Sequence, residues 1–261
     1  STVLSGIEDL AYSRGFRVMI CQSNEDYQRE SLNLQALLDH RVDGILVSMS
    51  KTTTDYRHFF RAVGQGLPMV FFDRICPDLL TDRVVTDDFE GARLITSHLI
   101  ERGCRRILHL GAPVHLEIGS ERRRGYLQAL TDAGLNPSHA RIMDCDTPAR
   151  LKESEAGFLK LAREIDGIFA VNDFTAVHAI RLLQENGYEI PGHIAVAGFG
   201  DDPLAEAVRP RLTTIEQKGY EMGRAAVSLL LERIDESLSK EGSVPARRRV
   251  FPAVLKQRES S

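Results

Sequence analysis

The sequence predicts an α/β protein with two lobes, each built on a parallel sheet covered by helices. Short apolar runs recur between segments with helical spacing, and most of these runs are continuous rather than alternating. Continuous apolar runs are typical of strands that are buried on both faces, as in a parallel sheet between layers of helices. Because the chain holds more strand-helix units than one compact sheet of ordinary width needs, we predict two lobes.

Six apolar runs have the length of strands. They lie at 18–21, 44–47, 69–72, 107–110, 168–171 and 194–199. A helix is predicted over 88–102, because Phe89, Ala92, Ile95 and Leu99 share one face there. Helical segments are expected to end at Gly15, Gly103, Gly134 and Gly187, where glycine can adopt the left-handed cap.

The boundary between the lobes is predicted near Thr86 to Asp88, where a new series of elements begins with a helix. A further helix is predicted over about 218–238, and the apolar stretch 250–255 follows it. These last elements have no sheet of their own, so they must return to the earlier lobes. The lobes are therefore expected to be discontinuous in sequence.

Composition limits the classes of function. The 261 residues are 43% hydrophobic and 27% charged, no apolar run approaches the ~18 residues of a membrane span, and no signal peptide follows Ser1. The net charge of −4 disfavours binding to a polyanion, so these residues are not expected to bind nucleic acid themselves. Cys21, Cys76, Cys104 and Cys145 lack zinc or redox spacing, which favours a cytoplasmic location.

Polar residues follow the predicted strands, where ligands bind in open α/β sheets. The candidate ligand-binding residues are Ser48, Ser50, Asp73, Arg122, Asn172 and Asp201. Both lobes contribute to this set, which predicts a hydrogen-bonding cleft between them.

Several of these residues have a purely structural alternative. Asp73 and Arg74 could form a turn or a local ion pair. Asp173 is expected to be the N-cap of the helix that runs to Asn186, because a carboxylate there accepts free backbone N–H groups. Asn172 would then precede the cap and either face the cleft or serve as an ordinary turn residue.

Arg122 is the strongest candidate, because it lies with Arg123 and Arg124 near the start of a helix, where the helix dipole disfavours positive charge. Either Glu117 and Glu121 compensate that charge, or an arginine points into the cleft toward an anionic or hydroxyl-rich ligand.

A second arginine run, 247–249, lies beside Gly242 and Pro245. It is interpreted as a solvated connection, with phosphate binding as the alternative.

No catalytic motif is present. The sequence contains no GxSxG elbow, P-loop, HExxH or CxxC, and the glycines at 198 and 200 do not complete a dinucleotide fingerprint. Adjacent carboxylates, at 87–88 and 201–202, usually point apart and so fit acid-base catalysis poorly. We therefore expect no enzyme activity, no metal and no cofactor.

A family resemblance extends over nearly the whole chain. The sequence is GYEIPGHIAVAGF at 187–199, PRLTTI at 210–215 and LKQRESS at 255–261. Shorter matches are VDGI at 42–45, Asp73-Arg74, FEGA at 89–92, LIERG at 99–103, the segment 122–126 and Asn172-Asp173. Together, and in the order in which they occur along the chain, these motifs resemble the effector-binding core of the LacI/GalR transcriptional regulators.

The resemblance implies two Rossmann-like lobes with parallel sheets joined by three crossovers, as in type I periplasmic binding proteins. The N-terminal lobe would comprise 1–86 and 217–250, and the C-terminal lobe 87–216 and 251–261. Family members also carry an N-terminal helix-turn-helix headpiece, a hinge helix and a first strand, which precede the helix that begins near Ser1. The slightly acidic charge is then expected, because the DNA-reading part lies upstream.

The implied function is a cytoplasmic homodimer that binds a sugar, sugar acid or sugar phosphate between its lobes and changes operator affinity through the headpiece. The segment from Ser1 to Arg14 and the helix after Asp173 are candidate dimer contacts. A periplasmic sugar-binding protein of an ABC transporter is the alternative, since it shares the fold. The Leu212-Thr-Thr-Ile215 segment and the ending after Val250 favour the regulator.

By position, Arg122 matches the family's effector-gripping arginine, Asn172 the asparagine beside the ligand, Asp73 an aspartate of the other lobe and Ser48 a polar pocket residue. One position departs from the pattern. Gly200 stands where the family usually has an aspartate that binds sugar hydroxyls, and Asp201 follows it. With one carboxylate fewer opposite Arg122, a negatively charged ligand becomes the working hypothesis.

Overall fold

A computed structural model describes residues 2–239 and 245–261 of the chain. The chain divides into two compact units. Unit 1 comprises Ser1–Thr86 and Lys218–Phe251, and unit 2 comprises Asp87–Gln217 and Pro252–Ser261. The chain therefore passes from one unit to the other three times, and both units contain segments that are distant in sequence.

Within residues 2–86, 218–239 and 245–251, unit 1 holds a four-stranded parallel sheet and four helices. Its helices are α1 (Thr2–Ser13), α2 (Tyr27–Asp39), α3 (Arg57–Gly64) and α10 (Gly219–Ser239). Its strands are β1 (Ile45–Val47), β2 (Met69–Phe72), β3 (Asp82–Thr86) and β9 (Arg248–Phe251), paired in the order β1-β2-β3-β9. The returning segment after α10 thus completes this sheet, with Val84 opposite Arg249.

Two glycines allow α1 and α10 to pack closely in unit 1. A Cβ atom at Gly6 would lie 2.1 Å from the carbonyl oxygen of Tyr220, and one at Gly223 would lie 2.2 Å from that of Val3. Both distances are far below van der Waals contact, so a larger residue would force the helices apart.

Unit 2 holds a second four-stranded parallel sheet with the order β5-β4-β6-β7, and a separate antiparallel pair of β8 with β10. The strands are β4 (Ile107–Gly111), β5 (Arg141–Asp144), β6 (Gly167–Ala170), β7 (Ala195–Ala197), β8 (Thr214–Glu216) and β10 (Val254–Lys256). The α-helices are α4 (Asp88–Glu101), α5 (Glu117–Asp132), α6 (Pro148–Glu153), α7 (Glu155–Ala162), α8 (Asp173–Glu185) and α9 (Leu204–Ala207).

Both faces of the unit 2 sheet are buried. Ile168 and Val196 pack with side chains of α8, whereas Phe169 and Ala197 pack with those of α4 and α5. Alternate residues of a strand point to opposite faces, so a strand covered on both sides must be apolar throughout. The predicted α/β class and parallel sheets are confirmed.

The prediction of a strand at 18–21 is wrong. No strand is assigned there, and Val18, Met19 and Ile20 are exposed. An apolar run becomes a strand only beside a hydrogen-bonding neighbour, and no strand of residues 2–239 or 245–261 pairs with this run. Conversely, β5 was not predicted, because it is a partly exposed edge strand without a continuous apolar run.

The interpretation of 247–249 as a solvated connection is wrong in part: β9 begins at Arg248, although Arg248 and Arg249 are exposed to solvent. The side chain of Arg247 binds the buried carboxylate of Asp82, with 2.7 Å between Nη2 and Oδ2. Arg233 of α10 binds the other oxygen of Asp82 at 2.7 Å. The contact between Arg247 and Asp82 fixes the start of β9 beside β3. Gly242, which belonged to the predicted connection, lies outside the described residues.

Replacing Asp82 with asparagine should destabilise the protein by about 3 kcal/mol, because both arginines lose a buried charged partner. Burial tends to raise the pKa of Asp82, but hydrogen bonds from Arg233 and Arg247 outweigh it and lower that pKa. The contribution of this carboxylate is therefore present above the unfolded pKa of about 3.9 and lost as pH falls below it. Urea unfolding at several pH values measures both effects.

The matched control is Asp43→Asn, at an exposed aspartate of the same unit. It should change the unfolding free energy by less than about 0.5 kcal/mol. Equal stability of D82N and the wild type at neutral pH would contradict the anchoring role of Asp82.

Candidate functional site

Arg122 reaches the carboxyl end of the unit 2 sheet. It lies in the second turn of α5, which begins at Glu117, so it is further from the helix start than predicted. Its Nη1 donates a hydrogen bond of 2.5 Å to the carbonyl oxygen of Val171, directly after β6. The guanidinium therefore lies beside Asn172, another of the predicted site residues.

The positive charge of Arg122 is compensated by Asp88, the first residue of α4. Nε and Nη2 of Arg122 lie 2.8 and 2.7 Å from Oδ1 of Asp88. Both residues are buried, at 4% and 7% exposure. Neither compensating residue considered from the sequence is this partner, and Glu121 instead pairs with Arg124. The pairing of Arg122 with Asp88 could not be predicted from local sequence, because Asp88 lies 34 positions away in the chain.

Phe199 covers one face of the guanidinium, whose Cζ lies 3.7 Å from the centroid of the ring. This is cation–π geometry and adds attraction at a desolvated position. Gly91 provides the space, because a Cβ there would lie 2.8 Å from two ring carbons of Phe199. Arg122 is thus held by a carboxylate at its edge, a carbonyl at one nitrogen and a ring on its face.

Asn172 is the N-cap of α8, and the prediction that Asp173 caps this helix is wrong by one residue. Oδ1 of Asn172 accepts a hydrogen bond from the backbone N–H of Thr175 at 2.9 Å. Nδ2 of Asn172 donates to the carbonyl oxygen of Asp146 at 2.8 Å. The amide is therefore fixed in position, with one N–H still to donate.

Asp173 holds the loop that follows β7. Its Oδ1 accepts from the hydroxyl of Thr214 at 2.5 Å, and its Oδ2 accepts from the backbone N–H of Asp202 at 2.8 Å. Burial raises the pKa of Asp173 to about 6, although these two hydrogen bonds act in the opposite direction. Neighbouring negative charge at Asp201 and Asp202 adds to the increase. Sequence reasoning missed this role.

Asp201 lies in that loop, and its carboxylate binds Arg258, with 2.7 Å between Oδ1 and Nη2. Gly200 has φ of +137°, a conformation that side chains rarely adopt, and its N–H donates to the carbonyl of Ile215 at 2.7 Å. Gly200, at the position where the family usually has an aspartate, therefore has a backbone conformation that would be strained for an aspartate.

In unit 1, the loops after β1 and β2 contact each other. Ser48 follows β1 and Asp73 follows β2, and the backbone N–H of Met49 donates to the carbonyl of Arg74 at 3.0 Å. Asp73 has φ of +58°, which is the turn conformation considered from the sequence. Arg74 pairs with Glu25 at 2.9 Å, so the local Asp73–Arg74 ion pair was a wrong alternative.

Glu30 of α2 supports the loop that contains Ser50. Its buried carboxylate accepts from the backbone N–H of Ser50 at 2.6 Å, the hydroxyl of Thr53 at 2.7 Å and, at 3.0 Å, faces Nε2 of His58. The hydroxyl of Ser50 is buried and has no hydrogen-bond partner among the described residues. No sequence signal marked Glu30, which lies 20 positions before Ser50.

Within each unit, the predicted residues lie at or near the carboxyl ends of neighbouring strands. Arg122, Asn172 and Asp201 follow or reach strand ends of unit 2, and Ser48, Ser50 and Asp73 do so in unit 1.

Within residues 2–239 and 245–261, no cluster of three or more potential metal ligands occurs. No helix in these ranges is long and apolar enough to cross a membrane.

Residues 96–261 match the family described as periplasmic binding protein-like domain. The chain is 31% identical over 238 residues to the HTH-type transcriptional repressor PurR of Actinobacillus pleuropneumoniae serotype 5b, covering 89% of this chain and 69% of the repressor.

Two solved structures are similar over the whole chain. The transcriptional regulator CelR in complex with cellobiose gives a TM-score of 0.87 at 27% identity, with 100% of this chain and 78% of that chain covered. A LacI family transcriptional regulator from Enterococcus faecium with bound ribose gives a TM-score of 0.87 at 27% identity. The match covers 100% of this chain and 92% of that chain. These matches favour the regulator over the transporter component.

Stability should fall as pH rises from about 4 to 7, because the raised pKa of Asp173 means that its ionisation disfavours the folded state. The contribution is fully present below the unfolded pKa of about 3.9 and is lost above the folded pKa of about 6, a change of roughly 3 kcal/mol. In Asp173→Asn this component should be absent from the pH dependence of urea unfolding.

Asp144→Asn, at an exposed aspartate of the same unit, is the control and should retain the wild-type pH profile. A D173N variant with an unchanged profile between pH 4 and 7 would show that Asp173 is ionised without cost in the folded protein.

Proposed function

The chain belongs to the LacI/GalR family of transcriptional regulators, and we propose that it binds a small sugar-like effector that alters operator affinity. DNA binding would reside in a segment outside this sequence, since the chain covers 69% of the length of a helix-turn-helix repressor. The net charge of −4 supports this division, because a DNA-reading surface is normally basic.

The fixed guanidinium of Arg122 is the observation that carries the proposal. A guanidinium has five N–H donors, and its contacts with Asp88 and Val171 use three of them. The other two can donate to ligand hydroxyls, and the group needs no further ordering when a ligand arrives. Binding to a preorganised donor avoids the entropic cost of immobilising a long side chain.

The remaining predicted residues supply complementary chemistry. Asn172 offers its second amide N–H, and Asp201 lies in the neighbouring loop, fixed by Arg258. From unit 1 we assign the Asp73 carboxylate as an acceptor and the hydroxyls of Ser48 and Ser50 as donors or acceptors. Sugars present many hydroxyl groups that both donate and accept, and the related regulators were solved with cellobiose and ribose.

We propose no catalytic role for the carboxylates that the sequence placed in pairs. Asp88 and Asp201 are each bound to an arginine. Asp87 caps α4, because its side chain accepts a hydrogen bond from the backbone N–H of Glu90. The side chain of Asp202 accepts one from the backbone N–H of Leu204. All four are engaged in holding the fold, and the relatives are repressors, so we assign binding rather than an enzyme activity.

The effector would act by binding two conformations of the protein with different affinity. Such coupling is typically about 1 to 3 kcal/mol, which changes DNA affinity five- to about a hundredfold. We propose that the regulator works as a homodimer in the cytoplasm, because dimeric helix-turn-helix proteins read two half-sites at a fixed spacing. Cys21, Cys76, Cys104 and Cys145 are free thiols, which fits a reducing compartment.

Arg122→Gln should lower effector affinity at least tenfold, because the ligand loses hydrogen bonds from a charged donor worth about 1.5 to 3 kcal/mol. The effector is first identified by thermal shift with neutral sugars, sugar acids and sugar phosphates, and affinity is then measured by calorimetry.

Arg124→Gln is the matched control, since Arg124 lies on the same helix but is exposed and pairs with Glu121. It should bind the effector as the wild type does. A folded R122Q variant with wild-type affinity would refute the assigned role of Arg122.

Light scattering at micromolar concentration should give a mass near twice 29.1 kDa. We place the dimer contacts on α1 and α8, so Phe174→Asp on the exposed face of α8 should shift the mass toward the monomer, whereas Arg181→Ala should not. A strictly monomeric wild type would count against the proposed switch.

A further inference from the structure

We propose that Asp88 determines the charge selectivity of the site: it makes Arg122 a hydrogen-bond donor for uncharged ligands and prevents it from acting as an anion receptor. The proposal rests on the effector-binding role of Arg122 given above. It specifies the class of effector as uncharged and names the residue responsible.

The first argument is geometric. Arginine grips carboxylate and phosphate groups through two parallel hydrogen bonds from one edge of the guanidinium. In this protein the edge formed by Nε and Nη2 is occupied, because both atoms contact Oδ1 of Asp88. Nη1 donates one hydrogen bond to the carbonyl of Val171, and the Phe199 ring covers one face, which leaves one N–H on Nη1 and one on Nη2. The grip on an anion from the Nε–Nη2 edge is therefore closed, whereas the two remaining N–H groups can donate to ligand hydroxyls.

The second argument is electrostatic. Arg122 and Asp88 are both more than nine-tenths buried, so water screens their charges poorly. An anionic ligand that approached Arg122 would also meet the Asp88 carboxylate, and like charges in a poorly screened site repel strongly. The pair as a whole is neutral, which favours a neutral ligand.

This inference reverses the expectation drawn from Gly200. The sequence suggested an anionic ligand because the family's aspartate is missing at that position and Arg122 would have one carboxylate fewer. The structure supplies Asp88, from the start of α4, as the carboxylate of Arg122. Asp201 does not alter this balance, because Arg258 neutralises it.

Removing the charge of Asp88 should therefore create an anion site. In Asp88→Asn, Arg122 becomes a buried cation without a counter-charge, a costly state that a bound anion relieves. Inorganic phosphate is the probe, titrated by calorimetry and by thermal unfolding at constant ionic strength into wild type, D88N and the double variant D88N/R122Q. We expect no saturable phosphate binding by the wild type, at least tenfold tighter binding by D88N, and loss of that gain in the double variant.

Asp87→Asn is the matched control, because it removes a neighbouring negative charge and keeps a side chain that caps α4. It should not gain phosphate affinity. Asp88→Ser replaces D88N if the latter does not fold, and circular dichroism verifies folding. Phosphate binding by the wild type that disappears in R122Q would overturn the proposal, and so would a folded D88N or D88S without a gain.

A paired titration connects this result to the effector. Thermal shift compares two pairs of ligands in wild type and D88N. Each pair has a neutral and an anionic member: D-glucose with D-gluconate, and D-ribose with ribose 5-phosphate. The wild type should favour the neutral member of any pair that binds, and D88N should shift the affinity ratio at least tenfold toward the anion. Wild-type preference for an anionic member would refute the selectivity role of Asp88. An R122Q variant that binds the effector normally would instead refute the proposed function, whatever the phosphate result.

Discussion

The buried ion pair between Arg122 and Asp88 is the interaction on which the candidate site of unit 2 depends. It joins the first turn of α4 to the second turn of α5 and places the guanidinium against Phe199 and the end of β6. A buried charge is tolerated only with a partner, so α4 and α5 must pack together for either residue to be stable. The packing of α4 against α5 thus forms the site, and the ion pair in turn constrains that packing.

Buried carboxylates hold polar segments in both units. In unit 2, Asp173 fixes the loop after β7 through Thr214 and the backbone of Asp202. In unit 1, Glu30 fixes the loop of Ser50, and Asp82 joins α10 to the returning strand β9. Each of these acids binds groups that are buried or partly buried. The loops of Asp202 and Ser50 are thus held by hydrogen bonds to side chains of the protein itself.

Local patterns in the sequence predicted the interior of the sheets but not the contacts between distant segments. The run 69–72 coincides with β2, because a strand buried on both faces leaves a continuous apolar signature. Arg122 was identified because three arginines on one helix required compensation. Its partner Asp88 was not, since pairing across 34 positions depends on how helices pack. The wrong helix cap at Asp173 shows a different limit, because Asn172 and Asp173 are both good caps and one residue of register decides between them.

A crystal structure with the effector bound tests the central claim most directly. The account predicts an uncharged ligand within hydrogen-bond distance of the Arg122 guanidinium, with the contact between Arg122 and Asp88 retained. A ligand bound away from Arg122, or an anionic ligand that takes the place of Asp88 on the guanidinium, would contradict it.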